Sequence, residues 1–202
     1  MSVFALPPII AILRGVRPDE IVDIAEALVD AGVGAIDVPL NSPAPLESIQ
    51  RLCAAVGDRA LCGAGTVLTP EAVEAVARAG GKLVVTPNTD PAVIAHALAL
   101  GLTAMPGFAT PTEAFAAVKA GAKALKLFPA GSFGPKHVKA IKDVLPPEVA
   151  VYAVGGVGAA DLAAWRSAGV DGVGVGGELY RPGDRPAEVA QRAARLVSAW
   201  RA

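Results

Sequence analysis

Eight repeats of a short apolar run followed by a longer amphipathic stretch predict an α/β protein built as a single (β/α)8 TIM barrel. Two further observations agree. Ala-Gly closes four of the amphipathic stretches, and no composition break or linker divides the 202 residues. At about 25 residues per unit the chain is near the short limit for this fold, so residues 1–202 read as one domain. An open doubly wound sheet is the alternative, but no GxGxxG follows the first strand.

The first unit is Ile9-Ile10-Ala11-Ile12-Leu13, then Arg14-Gly15, then a helix from Pro18 to Ala31. Pro18 suits a first helical turn, and Asp19 and Glu20 favour the positive end of the helix dipole. Ile21, Ile24, Ala25 and Leu28 form its apolar face. Further strands are predicted near 34–38, 60–66, 83–86, 102–106, 123–128, 150–154 and 171–175. Helices follow near 43–55, 70–79, 90–99, 111–120, 134–143, 159–168 and 186–200. Thr69-Pro70-Glu71, Asp90-Pro91 and Thr110-Pro111-Thr112-Glu113 are helix starts. Ala31-Gly32, Ala79-Gly80, Ala120-Gly121 and Ala168-Gly169 are helix stops.

Composition narrows the class of function. At 53% hydrophobic the chain can bury enough surface to offset its ordering entropy, which excludes disorder. A net charge of -1 and a pI of about 6.1 argue against nucleic-acid binding by bulk charge. Gly, Pro, Asp or Arg interrupts every apolar run before the roughly 20 residues a membrane span needs. Cys53 and Cys62 form neither CxxC nor a cluster with His, so they read as buried free thiols with no disulfide framework and no metal. Met1 to Leu6 lacks a basic region leading into an apolar one, and the expected setting is reducing and cytoplasmic.

In such a barrel the active site lies at the C-terminal ends of the strands. Of seven lysines only Lys126 is deep in an apolar run, Ala124-Leu125-Lys126-Leu127-Phe128. Side chains alternate along a strand, so if Leu125 and Leu127 face the helices, Lys126 points into the barrel mouth. Burial disfavours its ammonium form, and a lysine of depressed pKa attacks carbonyls to form a Schiff base. The competing role is a structural lysine paired to a buried carboxylate. Asp37, the only acid in the interior of a strand run, is either a general acid/base near Lys126 or a charge partner for Lys126 or Arg14. Arg14 ends the first strand and could clamp a carboxylate or phosphate, or bridge to Asp37. Thr66 could offer its hydroxyl to a substrate or cap its strand end. Gly155-Gly156 and Gly176-Gly177 end the seventh and eighth strands, where barrels often bind phosphate through backbone N–H groups. His96 and His137 lack metal-ligand spacing and read as surface or interhelix residues.

Several segments, in this order, closely resemble the class I 2-keto-3-deoxy-6-phosphogluconate / 2-keto-3-deoxy-6-phosphogalactonate aldolase family. They are Ile10-Ala11-Ile12-Leu13-Arg14-Gly15, Gly63-Ala64-Gly65-Thr66-Val67, Val85-Thr86-Pro87-Asn88, Leu125-Lys126-Leu127-Phe128-Pro129-Ala130 and Ala153-Val154-Gly155-Gly156-Val157. The resemblance covers essentially the whole chain. Val38-Pro39-Leu40-Asn41-Ser42-Pro43, Phe133-Gly134-Pro135 and Glu178-Leu179-Tyr180 look like the phosphogalactonate branch. The resemblance implies that Lys126 is the Schiff-base lysine and that position 37 is the general acid/base. The family usually has Glu there, one methylene longer than Asp37. It implies that Arg14 and Thr66 contact the keto-acid carboxylate end and that Pro87 and Phe128 line the pocket. It places Gly155, Gly156, Gly176 and Gly177 around the phosphate, with Gly177 standing where the family often has Ser. The stretch from Pro39 to Ser42 is expected to read the C4 configuration. The implied partners are a phosphorylated keto-deoxy sugar acid and pyruvate, in a homotrimer that needs no metal or cofactor. The implied activity is cleavage of the galactonate epimer. The gluconate epimer, or a weakened barrel that only binds a phosphorylated ligand, are the alternatives.

Overall fold

The computed structural model of the chain describes residues 6–202. The reading of Met1 to Leu6 as leaderless therefore lies outside the described residues, except at Leu6. In chain order the elements are β1 (Ile9–Ile12), α1 (Ile21–Asp30), β2 (Ala35–Pro39), α2 (Pro45–Val56), β3 (Leu61–Gly65), α3 (Pro70–Arg78) and β4 (Leu83–Val85). They continue as α4 (Pro91–Ala99), β5 (Thr103–Met105), β6 (Gly107–Phe108), α5 (Pro111–Lys119), β7 (Ala124–Leu127) and α6 (Ala130–Phe133). The last are α7 (Pro135–Lys142), β8 (Ala150–Val154), α8 (Leu162–Ser167), β9 (Gly172–Val175) and α9 (Pro186–Arg201).

The strands form one sheet in the order β5-β4-β3-β2-β1-β9-β8-β7-β6, and the paired strands are parallel. The two ends of that order, β5 and β6, are separated in sequence only by Pro106. They are halves of one barrel strand: β5 pairs with β4, and β6 pairs with β7. Proline has no N–H for a ladder, but its carbonyl still accepts. The Lys126 amide donates to the Pro106 carbonyl at 2.9 Å, and the ring closes there. Sequence reading anticipated the eight barrel strands; the break in the fifth follows from the proline.

Alternation along the strands separates two cores. Outward side chains such as Ile36, Cys62, Ala64, Leu125 and Leu127 pack under the helices. Inward side chains, among them Ile10, Leu83, Val85, Met105 and Tyr152, fill the barrel. The interior is narrow, and glycines make the room. A Cβ at Gly172 would meet the Tyr152 ring at 2.2 Å.

Helix boundaries follow local chemistry. Asp90 Oδ1 accepts from the Ala92 amide at 2.8 Å, and Thr110 with Glu113 forms a reciprocal cap of α5. The four Ala-Gly stops are present as such, with Gly32, Gly80, Gly121 and Gly169 all at positive φ. Two expectations need correction, and one element was not anticipated. Pro18–Glu20 is not helical but a turn ahead of α1, pinned because the Arg17 amide donates to Glu20 Oε1 at 2.9 Å. The helix expected at 159–168 begins only at Leu162, after a turn in which the Asp161 amide donates to the Gly158 carbonyl at 3.1 Å. The one-turn helix α6 after Pro129 is too short to show a helical period in sequence.

A Cβ at Gly63 would stand 1.9 Å from the Leu83 carbonyl oxygen, a backbone atom of the neighbouring strand that cannot swing away. Gly63→Ala is therefore expected to cost roughly 3 kcal/mol, read as a lowered urea midpoint at unchanged slope.

Candidate active site

All ten candidate residues line one cavity of about 790 Å³ at the C-terminal mouth of the barrel. β1 ends just before Arg14, β2 carries Asp37, and β3 ends just before Thr66. Pro87 follows β4, and Lys126 lies in β7 with Phe128 just beyond it. Gly155 and Gly156 follow β8, and Gly176 and Gly177 follow β9.

Lys126 is 6% exposed and Asp37 1% exposed. Leu125 and Leu127 do face the helices, which turns Lys126 inward. Its Nζ lies 5.0 Å from the centre of the Phe128 ring, where a cation meets the negative ring face. Among the described residues Asp37 forms no ion pair with either Lys126 or Arg14, and its Oδ1 has no hydrogen-bond partner. The structural roles considered for these residues are therefore unmet: Lys126 is not locked to a carboxylate. Arg14 is exposed and binds Asn41 Oδ1 at 2.6 Å instead.

Both groups are displaced toward each other. Burial pushes the Asp37 carboxyl up to about 7, against the charges of Lys126 and Arg14, which favour its ionised form. Burial lowers the Lys126 ammonium to about 8, with Asp37 opposing the shift and Arg14 adding to it. Near neutral pH the two sites thus compete for one proton. Gly65 makes this placement possible: a Cβ there would sit 2.5 Å from Asp37 Oδ1.

Thr66 adopts φ 58, unusual for a residue other than glycine, and is half-buried at the cavity edge. Its expected alternative as a strand-end cap is not seen among the described hydrogen bonds, where the capping threonines are Thr69 and Thr110. At the other end of the cavity Gly155 and Gly156 have φ 91 and 73. The Gly155 carbonyl accepts from the Gly131 amide at 2.8 Å, which ties this loop to α6. Among the described residues the amides of Gly156 and Gly177 meet no protein acceptor, so they are available as anion donors.

The segment Pro39–Ser42 divides its work. Only Pro39 lines the cavity. Asn41 holds Arg14, and Ser42 Oγ accepts from the Gly15 amide at 2.9 Å, so these two shape the site through the loop after β1. Sequence reasoning missed Gly65, Val154, Tyr180 and Arg181 as lining residues. The chain after Gly177 folds back over the mouth because the Tyr180 hydroxyl donates to Glu20 Oε1 at 2.8 Å, a contact spanning most of the sequence. The signal for Arg181 was its place just beyond a strand-end glycine pair. His96 lies 3.3 Å from Glu74 between α3 and α4, and His137 bonds the Ala109 carbonyl at 2.7 Å, both away from the cavity. Among the described residues no group of three or more His, Cys, Asp or Glu could hold a metal ion, and no helix is long and apolar enough to cross a membrane.

The raised Asp37 carboxyl has a stability consequence. Between about 4 and 7 the folded state holds a proton that the unfolded state has released, so this group's contribution falls as pH rises through that window. Asp37→Asn removes the cost of a buried charge. It should unfold later in urea at pH ~8, by about 1–2 kcal/mol, with the gain shrinking at pH ~4.5.

A family model described as "KDPG and KHG aldolase" matches residues 2–188. The chain is 53% identical over 194 residues to the 2-dehydro-3-deoxy-6-phosphogalactonate aldolase of Escherichia coli, covering 96% of this chain and 95% of that one. A solved structure described as native KDPGal superposes with a TM-score of 0.94 at 52% identity, covering 96% of this chain and 94% of that chain. The KDPG aldolase of Legionella pneumophila, solved with pyruvate captured as a covalent carbinolamine, superposes with a TM-score of 0.80 at 25% identity, covering 98% and 94%. With a barrel mouth that buries one lysine beside one carboxyl, and a match running nearly end to end, this chain belongs to the KDPG and KHG aldolase family.

Proposed function

We propose that the chain is a class I aldolase that reversibly cleaves 2-dehydro-3-deoxy-6-phospho-D-galactonate to pyruvate and D-glyceraldehyde 3-phosphate. The observation that carries this reading is the Lys126–Asp37 pair: both buried in one cavity, unbridged, with pKa values drawn to about 8 and about 7. The galactonate preference rests on the likeness to the Escherichia coli enzyme of that name.

Neutral Lys126 attacks the C2 carbonyl, and the C2 oxygen leaves as water on a proton from Asp37. The protonated imine draws electrons from the C3–C4 bond as Asp37, now ionised, takes the C4 hydroxyl proton. The aldehyde departs, an enamine remains, and protonation at C3 followed by hydrolysis releases pyruvate. Both side chains line the cavity of about 790 Å³ and no ion pair joins them, so the cavity can admit the reacting carbons or a water. Arg14 and Thr66 hold the carboxylate end, with Pro87 and Phe128 as apolar walls. The amides of Gly155, Gly156, Gly176 and Gly177 receive the phosphate, whose binding orients the reacting carbons. Residues 1–202 act as one domain, in the cytoplasm, as a homotrimer. Exposed Leu68, Phe115 and Phe133 offer apolar surface for a partner subunit.

Borohydride with pyruvate is expected to trap a reduced adduct on Lys126, read by peptide mass. An unmodified Lys126 in active enzyme would overturn the mechanism. Lys126→Met should lower kcat/KM at least about a thousandfold. A coupled pyruvate assay with both epimers tests the substrate. Faster turnover of the gluconate epimer would reassign the branch, and binding without pyruvate release would indicate a barrel that only binds its ligand. The starting form, neutral Lys126 with protonated Asp37, carries one proton on the pair. The kcat/KM profile should therefore be bell-shaped, with limbs near 7 and 8 that belong to the pair jointly.

A further inference from the structure

The two cysteines meet at the opposite end of the barrel from the cavity described above. Cys53 lies in the last turn of α2 and Cys62 near the start of β3, joined by the short turn Gly57–Ala60. Sequence alone suggested two buried thiols. Only Cys62 is buried; Cys53 is half-exposed. A separate cavity of about 310 Å³ is lined by Cys53, Gly57, Asp58, Cys62, Gly80 and Lys82.

Three features distinguish this pair from inert core thiols. First, Cys53 lines this cavity with Gly80 against it: a Cβ at Gly80 would lie 3.4 Å from Cys53 Cβ and 4.0 Å from its Sγ. Second, the Lys82 amide donates to the Cys62 carbonyl at 2.8 Å, which fixes the Lys82 backbone next to Cys62, and Lys82 lines the same cavity. Third, the thiols are electrically unequal. Cys53 is lowered from the usual thiol value by the Cys62 thiol alongside it and by Lys82, against the opposing effect of burial. Cys62 is raised by its neighbour Cys53 and by burial. Its Sγ–H donates weakly to the Ala60 carbonyl at 3.5 Å. A half-buried thiol of lowered pKa beside a fully buried one, both lining the same cavity, is the arrangement of an attacking and a resolving cysteine.

We propose that Cys53 and Cys62 form a peroxide-reactive dithiol that closes reversibly to an intrachain disulfide. The Cys53 thiolate attacks one oxygen of hydrogen peroxide, the O–O bond breaks, and hydroxide leaves, giving a sulfenic acid. The Cys62 sulfur then attacks the Cys53 sulfur. The S–S bond forms, the S–O bond breaks, and the departing hydroxide leaves as water with the Cys62 proton. The two sulfurs together lose two electrons, which the peroxide takes up. A cellular thiol reductant reverses the bond.

Arg59 lies between the two cysteines, so trypsin separates them. The full-length protein is treated with hydrogen peroxide at neutral pH, blocked with N-ethylmaleimide and digested without reductant. The expected product joins the peptides Leu52–Arg59 and Ala60–Arg78, is lighter than their sum by two hydrogens, and separates on adding dithiothreitol. In Cys62→Ala the bond cannot form, and dimedone should label Cys53. Lys82→Met should slow maleimide labelling of Cys53 several-fold. Pyruvate release by Cys53→Ser should match the parent, which verifies folding. Over-oxidation of Cys53 without the joined peptide, a cross-link between chains, faster labelling of Cys62 than of Cys53, or resistance of both thiols would each overturn the proposal.

Discussion

One hydrogen bond links closure of the barrel to its chemistry. The Lys126 amide donates to the Pro106 carbonyl at 2.9 Å, joining β7 to the strand that Pro106 breaks. Proline removes one donor from the ladder, and the remaining acceptor is used at the residue whose side chain reaches the cavity. Because side chains alternate strictly, closing the ring in this register sends Lys126 inward and its two leucine neighbours outward. A slip of one residue would bury both leucines in the mouth and expose the lysine to the helices.

The site that results is held in tension by desolvation. Neither Asp37 nor Lys126 is tied off by an ion pair, so each carries much of the cost of burial. Their opposed shifts leave the carboxyl at about 7 and the ammonium at about 8, a pair that exchanges a proton with little penalty in either direction. Stability is sacrificed here, and the dense apolar packing around the strands offsets it. Gly65 is part of the same arrangement, since any side chain there would displace the carboxylate.

Asp37 and Gly177 have different structural settings. Asp37 is enclosed, with β1 and β3 on either side and Gly65 against its carboxylate. Gly177 is open: nothing lies within 4 Å of a Cβ built there. Nothing steric excludes a hydroxyl-bearing residue at that position, and the glycine leaves its backbone amide as the donor.

Much of the architecture was legible because it is written in short-range patterns. Apolar runs mark strands, Pro with an acid opens most of the helices, and Ala-Gly closes four of them, since glycine takes the positive φ of a common helix stop without strain. Lys126 and Asp37 stood out as charges within apolar runs, and the strand-end rule collected the residues that line one cavity. What the sequence could not show depends on contacts between distant segments. It offered Arg14 a partner in Asp37, whereas the fold supplies Asn41. It left Tyr180 and Arg181 outside the lining, because their position depends on a bond from Tyr180 to Glu20 near the other end of the chain. It read Cys53 and Cys62 alike as buried thiols, whereas the fold buries only Cys62 and leaves Cys53 half-buried at a cavity edge. By itself the sequence determined the strands, the helices and the groups capable of chemistry. Only the tertiary structure decided which of those groups stay unpaired, because burial and long-range hydrogen bonds exist only once the ring has closed.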